Sequence, residues 1–161
     1  METIHNLISV LTAQRDLYKE LYELLLREKE YIMNWDVDKM MELPKIKDTF
    51  FYKEKMLEEA RRKVEQKVSK SLGKDSVTLS DILSVMKDSK QKELLENISN
   101  EILKITEKIT IENRKIKILY NTNLKLISDF FNKIGITENK ASYTKNYHAS
   151  TAYRTAIDKN L

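Results

Sequence analysis

An all-α fold is predicted: an elongated antiparallel bundle of three long helices, with one short extra helix and a mobile C-terminal tail. Three observations carry this reading. Apolar residues recur at alternating intervals of three and four along most of the chain, the seam of helices that pack lengthwise. Two Gly and one Pro are all that punctuate 161 residues, too few turn-formers for a sandwich or an α/β fold. Charged residues make up 34% of the chain, as expected when every long helix shows a solvated face.

The first seam opens at Thr3, whose hydroxyl can cap a helix. It continues through Ile4, Leu7, Leu11, Gln14, Tyr18, Leu21, Leu25, Glu28, Ile32 and Trp35. Ile8, Leu17, Tyr22, Leu24 and Tyr31 widen it beyond a two-helix seam, so this helix, about residues 3–33, should touch two neighbours. Asn34-Trp35-Asp36 reads as a tight reversal, with Asp36 as the next N-cap. So short a connection makes the flanking helices antiparallel neighbours.

The second helix, about residues 37–72, carries Met40, Leu43, Phe50, Leu57, Ala60, Val64 and Val68, interrupted by Lys47, Glu54 and Arg61. Pro44 cannot donate to the Met40 carbonyl and its ring clashes there, at ~3 kcal/mol in a helix interior. Two arrangements are open: a kink at Pro44, or a separate turn over residues 37–43 with Pro44 opening the main helix. Gly73 ends the element. Thr78-Leu79-Ser80-Asp81 then has capping-box spacing. Ile82, Leu83 and Met86 give the short helix behind it, about residues 79–87, one apolar side with which to close the bundle.

The longest helix is expected at about residues 89–134, between a cap at Asp88 or Ser89 and a left-handed Gly135. Its seam is Leu95, Ile98, Ile102, Ile105, Ile109, Glu112, Ile116, Leu119, Asn123, Leu126, Phe130 and Lys133. Strand alternation would put Ile102, Lys104, Thr106 and Lys108 on one face and bury nothing coherent. Roughly 45 residues at 1.5 Å each give about 70 Å of helix. Such a stripe is not stable alone in water, so the other helices must cover it. Gln14, Glu28, Glu112 and Asn123 are polar within these seams. They can fix register and pairing or line a polar groove for a partner helix. Wherever they are buried they need hydrogen-bonded partners.

Past residue 136 the composition shifts to Asn, Ser, Thr, Lys and Ala, with Tyr143, Tyr147, Tyr153, Ile157 and Leu161 as the large apolar residues. Burying these few side chains does not offset the entropy of ordering the segment. A helical domain over residues 1–136 and a mobile tail over residues 137–161 are therefore expected. Tyr153, Ile157 and Leu161 lie at i, i+4 and i+8, one face of a helix that could fold against a partner's groove. The tail tyrosines are candidate interface anchors.

Chemistry is hard to seat on this chain. His5 and His148 are the two histidines and there is no Cys, so neutral-pH acid/base groups are scarce and thiolate chemistry is absent. The two glycines lie far apart at helix ends and cannot form a phosphate loop. Glu2-x-x-His5 has the spacing of half a helical di-iron site, but no second copy follows. No cofactor or metal is expected. The net charge of +4 is interspersed rather than clustered, which argues against nucleic acid. No basic stretch leads into an apolar run at the N-terminus, and the longest aliphatic run is Leu24-Leu25-Leu26. A soluble cytosolic protein without membrane insertion is expected.

Four stretches give the chain a family resemblance. They are Leu17-Tyr18-Lys19-Glu20-Leu21-Tyr22-Glu23-Leu24-Leu25 with Lys29-Glu30 and a turn ending in Asp36; Met41-Glu42-Leu43 with the Lys-rich run from Lys45 to Lys55 and Arg61-Arg62; Thr78-Leu79-Ser80-Asp81-Ile82-Leu83; and Asn113 through Tyr120-Asn121-Thr122-Asn123-Leu124, leading to a tail that closes on Ile157-Asp158-Lys159. Together they resemble the FlgN-like family of flagellar export chaperones for the hook–filament junction proteins. Two departures stand out: Pro44, and Ser142-Tyr143-Thr144-Lys145-Asn146, which lacks the glycines of the family's turn after the last helix.

The resemblance implies a non-enzymatic cytosolic chaperone. It would bind C-terminal helical segments of hook-associated junction proteins, prevent their early assembly and deliver them to the type III export gate. Carried onto this chain, the substrate surface would be Leu119, Leu126, Ile127 and Phe130, with Ile157 and Leu161. The contact with the cytosolic domain of the export-gate membrane protein would be Tyr143, with Tyr147 as the alternative. Two other classes stay in view. A coiled-coil scaffold or tether would self-associate through the same seams, and an enzyme or metal-binding bundle would need bound metal.

Overall fold

The computed structural model describes residues 2–135, which hold four helices and no strand: α1 (Glu2–Met33), α2 (Val37–Leu72), α3 (Leu79–Val85) and α4 (Ser89–Lys133). The chain divides into two units, Met1–Ile116 and Lys117–Leu161, so the division falls within α4. The expected boundary after residue 136, and all that was expected of residues 137–161, lies outside the described residues.

In the first unit, α1 is already helical at Glu2. Thr3 therefore sits inside the helix instead of capping it. At the other end the Asp36 N–H donates to the Tyr31 carbonyl at 2.9 Å and the Trp35 N–H to Ile32 at 3.3 Å. This six-to-one and five-to-two pair closes the helix around a residue in left-handed conformation. That residue is Trp35, at φ +53°. Asp36 then starts α2, its carboxylate accepting from the Lys39 N–H at 3.3 Å. The Lys39 ammonium, 3.1 Å away, holds that carboxyl below its ordinary value.

α2 runs unbroken from Val37 to Leu72 with Pro44 inside it, which removes the arrangement with a separate turn over residues 37–43. It ends as α1 does, but with glycine: Gly73 takes φ +64° while its N–H and that of Lys74 return to Lys70 and Ser69. α3 begins with the expected capping box. Thr78 Oγ1 accepts from the Asp81 N–H at 3.2 Å, and Asp81 Oδ2 accepts from the Thr78 N–H at 2.9 Å. Lys74 also pairs with Asp81, and together these bonds pull the Asp81 carboxyl far below the usual range. α3 stops at Val85, two residues short of expectation, because Met86 turns extended at ψ 125°. Asp88 caps α4, its Oδ1 accepting from Lys90 and Gln91 N–H at 2.9 and 3.3 Å.

Cross-helix contacts give directions within this unit. Tyr18 reaches Glu54 and Glu28 reaches Lys47, so α1 and α2 run antiparallel, as their short connection demands. Arg15 and Lys19 meet Glu101, and Lys29 meets Glu112, so α1 and α4 run in the same direction. Leu7 and Ile8 of α1, Val68 of α2, Ile82 of α3, and Leu95 and Ile98 of α4 form one buried cluster. Leu17, Leu24, Leu25, Ile32, Leu43, Ile105, Ile109 and Ile116 are buried further along. α3 contributes Ile82 to the cluster, with Leu83 and Met86 packed against it.

Candidate functional site

Residues on the inward face of α4 recur at three- and four-residue spacing as far as Ile116: Leu95, Ile98, Ile105, Ile109, Glu112 and Ile116 are buried and Ile102 is half-buried. The sequence repeat does not stop there. It continues through Leu119, Asn123, Leu126 and Phe130, yet no described residue after Ile116 is buried.

In the second unit Leu119 is half-buried, whereas Leu126 and Phe130 are each 59% exposed. Ile127 is exposed beside them, as are Ile118, Leu124 and Ile134. Leu119, Leu126, Ile127 and Phe130 share one side of the helix at this spacing. Phe131 meets Phe130 edge to face, with ring centroids 5.9 Å apart and planes at 69°. That packing restrains both rings before any partner arrives. Lys117, Lys125 and Lys133 flank the apolar residues, with Asp129 as the acid among them. Gly135 takes φ +78° after the last turn. The surface is open, long and apolar with charged flanks, and it suits an amphipathic helix.

Four expected site residues, Leu119, Leu126, Ile127 and Phe130, thus lie together on α4. Tyr143, Tyr147, Ile157 and Leu161 fall outside the described residues. Leu124, Phe131 and Ile134 belong to the same stretch and were missed. They flank the seam instead of occupying it, and a wider helical stripe would have found them.

Of the polar seam residues, Gln14, Glu28 and Glu112 are buried in the first unit and Asn123 is half-buried in the second; the two carboxylates are ion-paired. Glu112 accepts from Lys29 Nζ at 2.9 Å across to α1, and from Lys115 Nζ at 2.7 Å on its own helix. Lys115 first and Lys29 second hold its carboxyl below the ordinary value. Glu28 pairs with Lys47 of α2. The Tyr18 hydroxyl donates to Glu54 Oε1 at 3.1 Å, and burial, reinforced by that carboxylate, pushes the phenol well above its usual range. No buried side-chain polar atom among the described residues lacks a partner. These groups fix which residues face each other, favouring the register reading over a polar groove.

A shallow cavity of about 460 Å³ lies between α1 and α2, lined by apolar residues such as Leu17, Met56 and Leu57 and by polar ones such as Asp16, Glu20 and Lys53. No helix among the described residues is long and apolar enough to cross a membrane. Against known proteins, the family model described as FlgN protein matches residues 1–154. No curated protein and no solved structure matches the chain.

Proposed function

The chain belongs to the FlgN protein family of flagellar chaperones, and from that premise we propose that it is a cytosolic flagellar type III export chaperone. It binds C-terminal helical segments of hook-associated junction proteins, keeps them from assembling early and delivers them to the export gate. The observation that carries this reading is the continuation of the α4 seam past Ile116 onto exposed Leu126, Ile127 and Phe130. A client helix laid along these residues would complete the pattern that α1 and α2 complete further up.

Docking would remove water from Leu126, Ile127 and Phe130, which are already partly covered, each gaining only a part of the roughly 1.5–3 kcal/mol that complete burial is worth, against the cost of immobilising the client. Leu119, Ile157 and Leu161 would extend the contact, and Tyr143, or else Tyr147, would engage the cytosolic domain of the gate protein. In this reading the three long helices form a coiled-coil-like bundle whose task is to present that stripe, and no cofactor takes part. Titration of a junction-protein C-terminal peptide into the wild-type chain and a Phe130→Asp variant tests it; equal affinity for the two would remove the α4 surface from the proposal. The same stripe would also suit a second copy, as in a self-associating scaffold. Sedimentation equilibrium separates the readings, since a monomer leaves the stripe free for a client.

A further inference from the structure

Trp35 stands where folding alone would put glycine. Gly73 holds the matching place at the end of α2, at φ +64° with the same pair of backbone bonds, whereas Trp35 takes φ +53°. A side chain with Cβ is disfavoured in this conformation. Nor is the indole recovered by burial, for Trp35 is 53% exposed. Around the same turn Met33 and Val37 are more than half exposed and Met41 is 77% exposed. Three of the six methionines, Met33, Met40 and Met41, fall here. Methionine adapts its shape to irregular apolar partners.

The charge around the turn opposes that of the chain. Residues 30–42 hold the acids Glu30, Asp36, Asp38 and Glu42 and the single base Lys39, giving −3 within a chain of net +4. Lys39 is already engaged, paired with Asp36 and lying 5.2 Å from the Tyr31 ring centroid. Glu30, Asp38 and Glu42 are exposed and have no ion-pair partner among the described residues. The α4 stripe of the second unit, with its three lysines, has the opposite flanking charge.

We propose that the α1–α2 turn is a second docking surface, distinct from the α4 stripe, which takes a basic amphipathic helix of a partner protein with Trp35 as anchor and Asp38 and Glu42 facing its Lys or Arg. Such a helix brings apolar side chains to Trp35, Val37 and Met41, and its cations meet acids that form no close ion pair among the described residues. An anionic or purely apolar segment satisfies only half of the site.

The test uses the full chain and its sole tryptophan. A synthetic helix of Leu and Lys, about five turns long, is titrated while Trp35 emission and acrylamide quenching are followed; a Leu/Glu helix is the control. The Leu/Lys helix is expected to shift emission to the blue and protect the indole, and the Leu/Glu helix to do neither. Asp38→Lys with Glu42→Lys should weaken the response by roughly tenfold or more and leave thermal melting nearly unchanged. Phe130→Asp should leave it intact, which separates this surface from the client stripe. No shift, or equal shifts with both helices, overturns the proposal. So does a blue shift that grows with protein concentration alone, which makes the occupant a second copy. A red shift on ending the chain at Gly135 also overturns it, by making the occupant the chain's own C-terminal segment.

Discussion

Lys29 of α1 donates to Glu112 of α4 at 2.9 Å, one turn before Ile116, the last buried residue of α4. Glu112 is 6% exposed, so this pair fixes the α1–α4 register at the end of the buried seam.

Glu112→Ala should lower stability by about 1–3 kcal/mol at neutral pH, because it leaves the Lys29 ammonium without its acceptor. Glu112→Leu should recover part of that loss through packing. The acid dependence follows from the direction of the shift. The folded carboxyl titrates below its ordinary value of 4.5, so its stabilising contribution is complete above that value and is lost as pH falls through the lower folded one. Urea melts of wild type and Glu112→Gln at neutral pH and below pH ~4 check this; the variant should show the shallower acid slope.

Leu126→Asp and Phe130→Asp should each change stability by no more than about 1 kcal/mol, since both side chains are more than half exposed. Each should weaken binding of a junction-protein C-terminal peptide by roughly tenfold or more. Leu95→Ala is the contrasting control. It should cost about 2–5 kcal/mol by leaving a cavity in the α1–α4 core, with peptide affinity retained wherever the protein stays folded. Calorimetric titration beside thermal melts reads both quantities.

Tyr143→Ala is expected to abolish co-purification with the cytosolic domain of the export-gate protein and to leave client-peptide affinity unchanged. If Tyr143→Ala has no effect and Tyr147→Ala does, the contact moves to the alternative residue. A chain ending at residue 136 should lose both the gate contact and most of the client affinity while its melting temperature stays within a few degrees.

Pro44→Ala should stabilise the protein by about 1–3 kcal/mol, restoring an N–H that can donate to Met40 and removing the ring clash inside α2. Equilibrium unfolding measures it, and an unchanged midpoint would mean that the helix has already absorbed the proline at no cost.

The helices were legible because burial imposes its period on the sequence. Leu95, Ile98, Ile105 and Ile109 could be read as one face without knowing what covered it. Asp36, Gly73 and the Thr78–Asp81 pair were legible because caps are local chemistry. Lys29 facing Glu112 was not, since it depends on the register between two helices more than eighty residues apart in sequence. Trp35 was read into the reversal after Met33, where it stands, but its left-handed backbone and its exposure were not legible. Spacing says where a side chain falls along the chain, but not which backbone conformation it takes in a turn or what covers it there. On α4, Leu126 and Phe130 could be assigned to the seam, but only the fold shows that nothing in the described chain buries them.

The directions of the helices also bear on the order of assembly. α1 and α2 meet across a turn of three residues and can zip together from that end, while the α1–α4 contacts join residues 82 and 83 positions apart. Local pairings close quickly and distant ones late. On the ribosome, therefore, the α1–α2 hairpin would wait with its inward leucines bare until α4 emerges. During that interval the nascent protein would itself need what it is proposed to give its clients, a borrowed helix or a holding chaperone to cover the gap.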